Sequence, residues 1–322
     1  MRLKKLFPLL LVVSLSSCNV ETLYERKVYS FDTEINIKLY EGKEENTKYL
    51  EELINTYDAL SDNYQTRSGV INLTSINKTN EEVEVNQRLY TMLKSSFEMK
   101  EKGATYFNPL CGSLAKAWKE ALSHKKALNI EEIAAELEKI NNSSLIFKED
   151  NKLERIGEAE LDLGGFVKGY VLDEIYGYLS FNGITHYIIN AGNSSILLGE
   201  KKSSDGYYNV EIKSDIISGR YLKLKNCFVS TSSISVQGVK LEEDGPTYSH
   251  IINPITGSAI NEHDAVIVVS SNGALGDALS TSMMMNKVEE IKEIEKAQNV
   301  KCIVFDNHQV TYCHNDLEIL TI

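Results

Sequence analysis

The stretch Leu161–Gly169, L-D-L-G-G-F-V-K-G, constrains this chain more than any other. It runs straight into an apolar-periodic helix pattern that ends near Leu179. Two adjacent glycines ahead of a helix remove Cβ atoms where backbone must come close to something. The expectation is a strand-to-helix junction whose first-turn amides point at an anion. Asp162 stands just before the turn and Lys168 just inside the helix, adding a carboxylate able to orient a cation or a hydroxyl and an ammonium able to meet a phosphate. A tight connection with ordinary surface charges would use the same residues, and the second half of the chain has to separate the two readings.

The amino terminus sets the compartment. Arg2, Lys4 and Lys5 precede an apolar run from Leu6 to Leu15, followed by Ser16-Ser17-Cys18. This is a secretory leader, too short to remain as a spanning helix. Its end resembles a bacterial lipobox, which implies cleavage before Cys18 and lipid on that thiol; a plain signal peptide with an incidental cysteine is the alternative. The expected organisation is a leader over 1–17, a lipidated N-terminus and linker over 18–27, and one domain over 28–322. The expected location is a bacterial membrane, facing the periplasm, with Asn19 pointing towards the outer membrane. The whole chain carries a formal charge of −12, and loss of the basic leader leaves about −15. Such a body gains nothing from counterion release, so nucleic acid is excluded as a partner and lipid rather than charge makes the membrane contact.

Four cysteines follow Cys18, at 111, 227, 302 and 313, without zinc spacing. Val300–Phe305 and Val310–Cys313 read as a hairpin, and a two-residue Asn307-His308 turn would set Cys302 opposite Cys313, where either a disulfide or two reduced thiols would fit.

Along the chain, Val28–Tyr40 alternates as a strand, and Asn46 to Leu60 is an amphipathic helix with Tyr49, Leu50, Leu53, Ile54 and Tyr57 on its core face. A turn-rich connection leads to a second helix, Asn86 to Lys102, closed by Gly103. A third carries Trp118, and a fourth, Ile130–Ile140, is charged outside and apolar inside. Beyond Leu179 the pattern changes to short strands: His186–Asn190, Tyr207–Ile212, Tyr221–Leu224, Cys227–Ser230 and Ala265–Val269. Tyr248–Gly257, Y-S-H-I-I-N-P-I-T-G, is a strand end turned by Pro254 and Gly257. Gly273–Asn286 is a helix on which Asp277 and Thr281, four apart, share a face. A carboxylate and a hydroxyl so placed offer hard oxygens that suit Mg²⁺, although an ordinary solvated face has the same spacing.

In order along the chain, the Thr33 strand, Tyr64–Asn77, Thr105–Trp118, Asp162–Gly169, Asn190–Gly199, Val229–Ser233, Tyr248–Gly257 and Asp277–Thr281 together resemble the bacterial FAD:protein FMN transferases, the ApbE-type flavin transferases. The resemblance implies that Asp277, Thr281 and the main-chain oxygen of Gly165 hold Mg²⁺, while Tyr64, Tyr106, Phe107, Asn108, Asp162, Lys168 and Ile252 contact FAD. It also implies FMN transfer from FAD to a threonine of an acceptor protein, a membrane redox-complex subunit, with release of AMP. His250 is the candidate base, with Asp162 as rival and a structural histidine as the alternative. A secreted FAD pyrophosphatase and a non-catalytic flavin-binding lipoprotein are the competing functions. The chain departs from the family pattern at Asn108 and Asn253, both usually Asp, at Gly192-Asn193 for Gly-Gly, at Thr231-Ser232-Ser233 for Thr-Ser-Gly, and at Phe31-Asp32-Thr33 for Met-Gly-Thr. Asparagine keeps the accepting oxygen of aspartate and loses the charge.

The fold expected is α+β: a helical first half packed on a mostly antiparallel sheet from the second half, with an FAD cleft between them. Irregular short strands without βα alternation argue against a doubly wound parallel sheet.

Overall fold

The structure is a computed structural model that describes residues 22–212, 220–234, 238–243, 245–307 and 309–321. The leader and Cys18 lie outside them, as does His308 of the expected hairpin turn. The chain opens with a hairpin, β1 (Tyr24–Ser30) and β2 (Thr33–Leu39), and then the helices α1 (Glu44–Ser61) and α2 (Leu73–Asn77). After β3 (Val83–Glu84) come α3 (Gln87–Phe97), α4 (Gly112–Ser123) and α5 (Ile130–Asn141), then the short pair β4 (Ser144–Phe147) and β5 (Lys152–Ile156), and α6 (Val167–Phe181). The second half supplies β6 (Tyr187–Ala191), β7 (Ser195–Leu198), β8 (Tyr208–Glu211), β9 (Arg220–Leu224), β10 (Cys227–Ser233), β11 (Val239–Lys240), β12 (Thr247–Tyr248) and β13 (Ala265–Ser270). It closes with α7 (Gly273–Met283), α8 (Val288–Gln298), β14 (Lys301–Asp306), β15 (Gln309–Cys313) and β16 (Ile319–Thr321).

Eight strands form one sheet in the order β1-β2-β6-β7-β10-β13-β14-β15, and each described neighbour pair in it is antiparallel. The α+β expectation holds. Alternation along the central strands divides the core: Ile189, Leu197, Phe228, Val266 and Val268 face the helices α1, α6 and α7, whereas Leu198, Val229, Ile267, Val269 and Phe305 face the three-stranded sheet β16-β9-β8. With both faces covered, all six residues of β13 are buried, which is why A-V-I-V-V-S reads as a continuous run rather than an alternation.

Several expectations are corrected. Val28–Tyr40 is not one strand but most of a hairpin beginning at Tyr24, inside the expected linker. Phe31 and Asp32 both take positive φ, 54° and 55°, and the Phe31 N–H donates to Asp58 Oδ1 at 2.7 Å. A turn of that shape ordinarily carries Gly or Asn, so no punctuation marked it. The glycine pair is not preceded by a strand either. β5 ends at Ile156, and the segment before Gly164 is held by the Asn77 side chain, which exchanges hydrogen bonds with the Leu161 main chain at 2.7 and 3.0 Å. Tyr49 lies at the surface, stacked on Tyr178, and α5 buries only Ile140. In the last hairpin a bulge between Val304 and Phe305 pairs Cys313 with Ile303 rather than with Cys302, and both cysteines are free.

Candidate active site

A cavity of about 1030 Å³ runs between α4 and the Tyr106–Asn108 turn on one side and α6, α7 and the sheet on the other. Tyr64, Tyr106, Phe107, Asn108, Asp162, Gly165, Lys168, His250, Ile252, Asp277 and Thr281 all line it. The residues singled out in the sequence are therefore brought together, Cys18 excepted because it lies outside the described residues.

One half of the site is the Gly164-Gly165 turn. Asp162 shapes it: Oδ1 accepts the Gly164 N–H at 2.7 Å and Oδ2 accepts from Asn63 Nδ2 at 2.6 Å, while Asp162 N–H donates to Pro109 O at 2.8 Å. Oδ1 is thus committed to the turn backbone and Oδ2 to the Asn63 side chain, which gives Asp162 a positioning role at the turn. Lys168, half-buried in the first turn of α6, makes no ion pair among the described residues, so its ammonium is left for the cavity.

The hard-oxygen half centres on α7. Asp277 is buried; its Oδ1 accepts from Ser230 Oγ at 2.6 Å, its Oδ2 from the Gly169 N–H at 2.6 Å, and the Ser195 hydroxyl is shared between the two oxygens at 2.9 and 3.1 Å. Three donors on a carboxylate with about four acceptor sites leave one lone pair. Burial raises the Asp277 pKa, and Lys168, the Ser230 hydroxyl, the Gly169 amide and the Ser195 hydroxyl pull it back. One turn on, Thr281 presses against the glycine turn: a Cβ added at Gly165 would stand 2.7 Å from Thr281 Oγ1. Only glycine fits there. A carboxylate with one free lone pair, a hydroxyl and a cradle that a Cβ would fill suit a hard cation whose remaining positions go to water and phosphate. Among the described residues no group of three or more His, Cys, Asp or Glu could hold a metal, so a site made wholly of such side chains is not formed there.

The sequence reading missed Ser195, Ser230 and Asn63. Ser230 did carry a signal, since it shares the inward face of β10 with Phe228 and is a hydroxyl where the pattern calls for a hydrocarbon.

His250 follows β12 on a loop tied down at Ser249, Asn253 and Gly257. Ser249 Oγ bonds Asn261 and Ile251, Asn253 Oδ1 accepts the Ile255 and Thr256 amides at 2.9 and 3.1 Å, and Trp118 Nε1 donates to Gly257 O at 2.8 Å. The imidazole is exposed to the water of the cavity yet crowded by its walls. That crowding, and secondly the Lys168 ammonium, lower its pKa below the usual histidine value. A pKa held below that value favours the neutral ring at pH 7.

The departures have structural accounts. Asn253 and Asn108 both spend Oδ1 on turn amides, the latter on Leu110 N–H at 3.0 Å, a task that needs an oxygen and no charge. Asn193 takes φ 61°, which asparagine tolerates, and is tied to Asn190 by two hydrogen bonds of 2.8 Å.

A family model described as "ApbE family" matches residues 31–304. The chain belongs to the ApbE family. Among similar proteins, the FAD:protein FMN transferase of Klebsiella pneumoniae is 24% identical over 278 residues, 83% of this chain and 85% of that one. The protein of the same name from Treponema pallidum is 26% identical over 219 residues, 62% of this chain and 60% of its own. The flavin transferase ApbE from Vibrio cholerae superposes with a TM-score of 0.71 at 21% identity, over 93% of this chain and 97% of that one, which establishes the shared fold.

Proposed function

We propose that this ApbE-family chain transfers the FMN half of FAD to a threonine hydroxyl of an acceptor protein and releases AMP. The observation that carries the reading is the convergence in one cavity of a glycine turn, an unpaired lysine and a hard-oxygen set, in a family whose similar members are named FAD:protein FMN transferase. The pyrophosphate of FAD lies against the Gly165 amide and Lys168, the Gly164 amide being held by Asp162. The threonine oxygen attacks the FMN phosphorus, the bond from that phosphorus to the bridging oxygen breaks, and the electron pair leaves on AMP. His250, neutral at working pH, takes the threonine proton. Asp277, Thr281 and the Gly165 carbonyl would hold Mg²⁺, which supplies neutralisation of charge on the phosphates. Lys168 contributes to the same end from the chain itself, and Asp162 keeps the turn in shape.

Export and lipid attachment at Cys18 belong to the same reading, with a membrane redox-complex subunit as acceptor; the basic leader and lipobox pattern support it. Incubation with FAD and Mg²⁺, with and without a threonine-containing acceptor peptide, tests the function by mass spectrometry. The expected products are AMP and a peptide heavier by FMN less one water. FMN and AMP released at the same rate without peptide would identify a pyrophosphatase, and unchanged FAD would leave a binding protein.

A further inference from the structure

The helices α6 and α7 carry the same short pattern, Gly-x-x-x-Asp: Gly169 to Asp173 on one and Gly273 to Asp277 on the other. The two copies meet and are joined twice. Asp277 Oδ2 accepts the Gly169 N–H at 2.6 Å, while Asp173 accepts the Gly273 N–H at 2.7 Å and the Ala274 N–H at 2.8 Å. Between these bonds the glycines touch: a Cβ on Gly169 would stand 2.1 Å from the Gly273 carbonyl oxygen, and one on Gly273 would stand 2.4 Å from that of Gly169. Each aspartate thus satisfies first-turn amides of the opposite helix, groups that have no partner within their own. The clasp is reciprocal in bonding but not in exposure, because Asp277 lines the cavity and Asp173 does not.

We propose that Asp173 is a positioning residue for the Asp277 carboxylate, fixing α7 against α6 so that the one remaining lone pair of Asp277 faces Thr281 and Gly165. Asn272 cannot substitute, since its side chain caps the Leu275 N–H from the same helix and fixes nothing relative to α6. Ser195 and Ser230 hold the carboxylate from the sheet but leave the start of α7 unrestrained. With both glycines in contact, sliding of α7 along α6 is blocked in the direction of closer approach, and the Asp173 bonds block separation. The inference rests on the metal reading given above.

The test is Mn²⁺ binding to the FAD-free protein, read by electron paramagnetic resonance. Asp173→Asn, which keeps an acceptor for one amide and turns a donor towards the other, is expected to weaken Mn²⁺ at least roughly tenfold while FAD affinity changes little. Asp277→Asn is the control for the metal reading: if it and the native chain take up Mn²⁺ equally, that reading fails and takes the inference with it. If Asp277 does bind Mn²⁺ and Asp173→Asn matches the native chain, the clasp is structural only and the inference is overturned. A second measurement needs no variant. Hydrogen exchange at the Gly273 and Ala274 amides of the native protein is expected to slow when Mg²⁺ binds, and unchanged exchange there overturns the proposal even if the Asp173 variant does not fold.

Discussion

Asp277 sits in the folded protein with three donors already aimed at it, which offset part of the cost of burying its charge and leave the rest for a cation to offset. Asp277→Ala is expected to lower transfer by roughly 10²–10³-fold while FAD binding persists, because the loss falls on charge developing during reaction. Single-turnover rates beside a fluorescence titration of FAD separate the two. For His250 the sign follows from the direction of its shift. A base must be unprotonated, and a pKa held below the usual value puts the ascending limb of kcat/KM on the acid side of 6.5 with a plateau at neutrality. His250→Gln should cost roughly 10²–10⁴-fold and remove that limb; a variant that kept it would move the base elsewhere. The charged and glycine members of this site were legible because each stands in a motif. Ser195, Ser230 and Asn63 were not, because a lone hydroxyl or amide acquires meaning only from what the fold sets opposite it.

At the scale of elements, strong helical periods and most second-half strands could be read directly, and what failed was punctuation. The β1–β2 turn has no glycine, the bulge in the β14–β15 hairpin shifts the register by one residue with no glycine to mark it, and the extended segment before Gly164 is held by an asparagine far away in sequence. The contact between the glycine turn and α7 gives a direct test. Gly165→Ala would drive a methyl into Thr281, a β-branched side chain with little freedom to retreat, so a stability loss of about 1–3 kcal/mol is expected together with weakened Mg²⁺ dependence. Denaturant unfolding and a metal titration measure these. The α6–α7 contact also has a pH signature. Burial pushes the Asp173 carboxyl up to about 6, from the ordinary value of 3.8. Its contribution to stability is therefore fully present below the unfolded value and is lost as pH rises through 6. Asp173→Asn removes a negative slope in that window, so unfolding free energy should rise more steeply with pH between 4 and 6 than in the native chain, by up to about 1 kcal/mol per pH unit.

On the scale of the whole molecule, an acidic chain must capture an anionic dinucleotide. The body carries excess negative charge, against which the cavity sets Lys168 beside the glycine turn and Lys119 on its α4 wall. Screening removes the long-range repulsion and spares the short contacts, so association with FAD should accelerate as salt rises to ~0.15 M, against the usual trend for oppositely charged partners; stopped-flow capture rates at graded ionic strength would show it. Once bound, FAD at about a hundred times its Kd is expected to stabilise the fold by about 2.7 kcal/mol, visible as a rise in Tm. One optical consequence of the architecture remains. The chain has a single tryptophan, and Trp118 lines the cavity with its indole N–H bonded to Gly257 O and its ring stacked on Tyr248. Indole emission overlaps flavin absorption, so this one fluorophore acts as a donor for energy transfer to any isoalloxazine in the cavity. Arrival and departure of the dinucleotide are thereby written into the protein's own emission, with no label and no second tryptophan to dilute the signal.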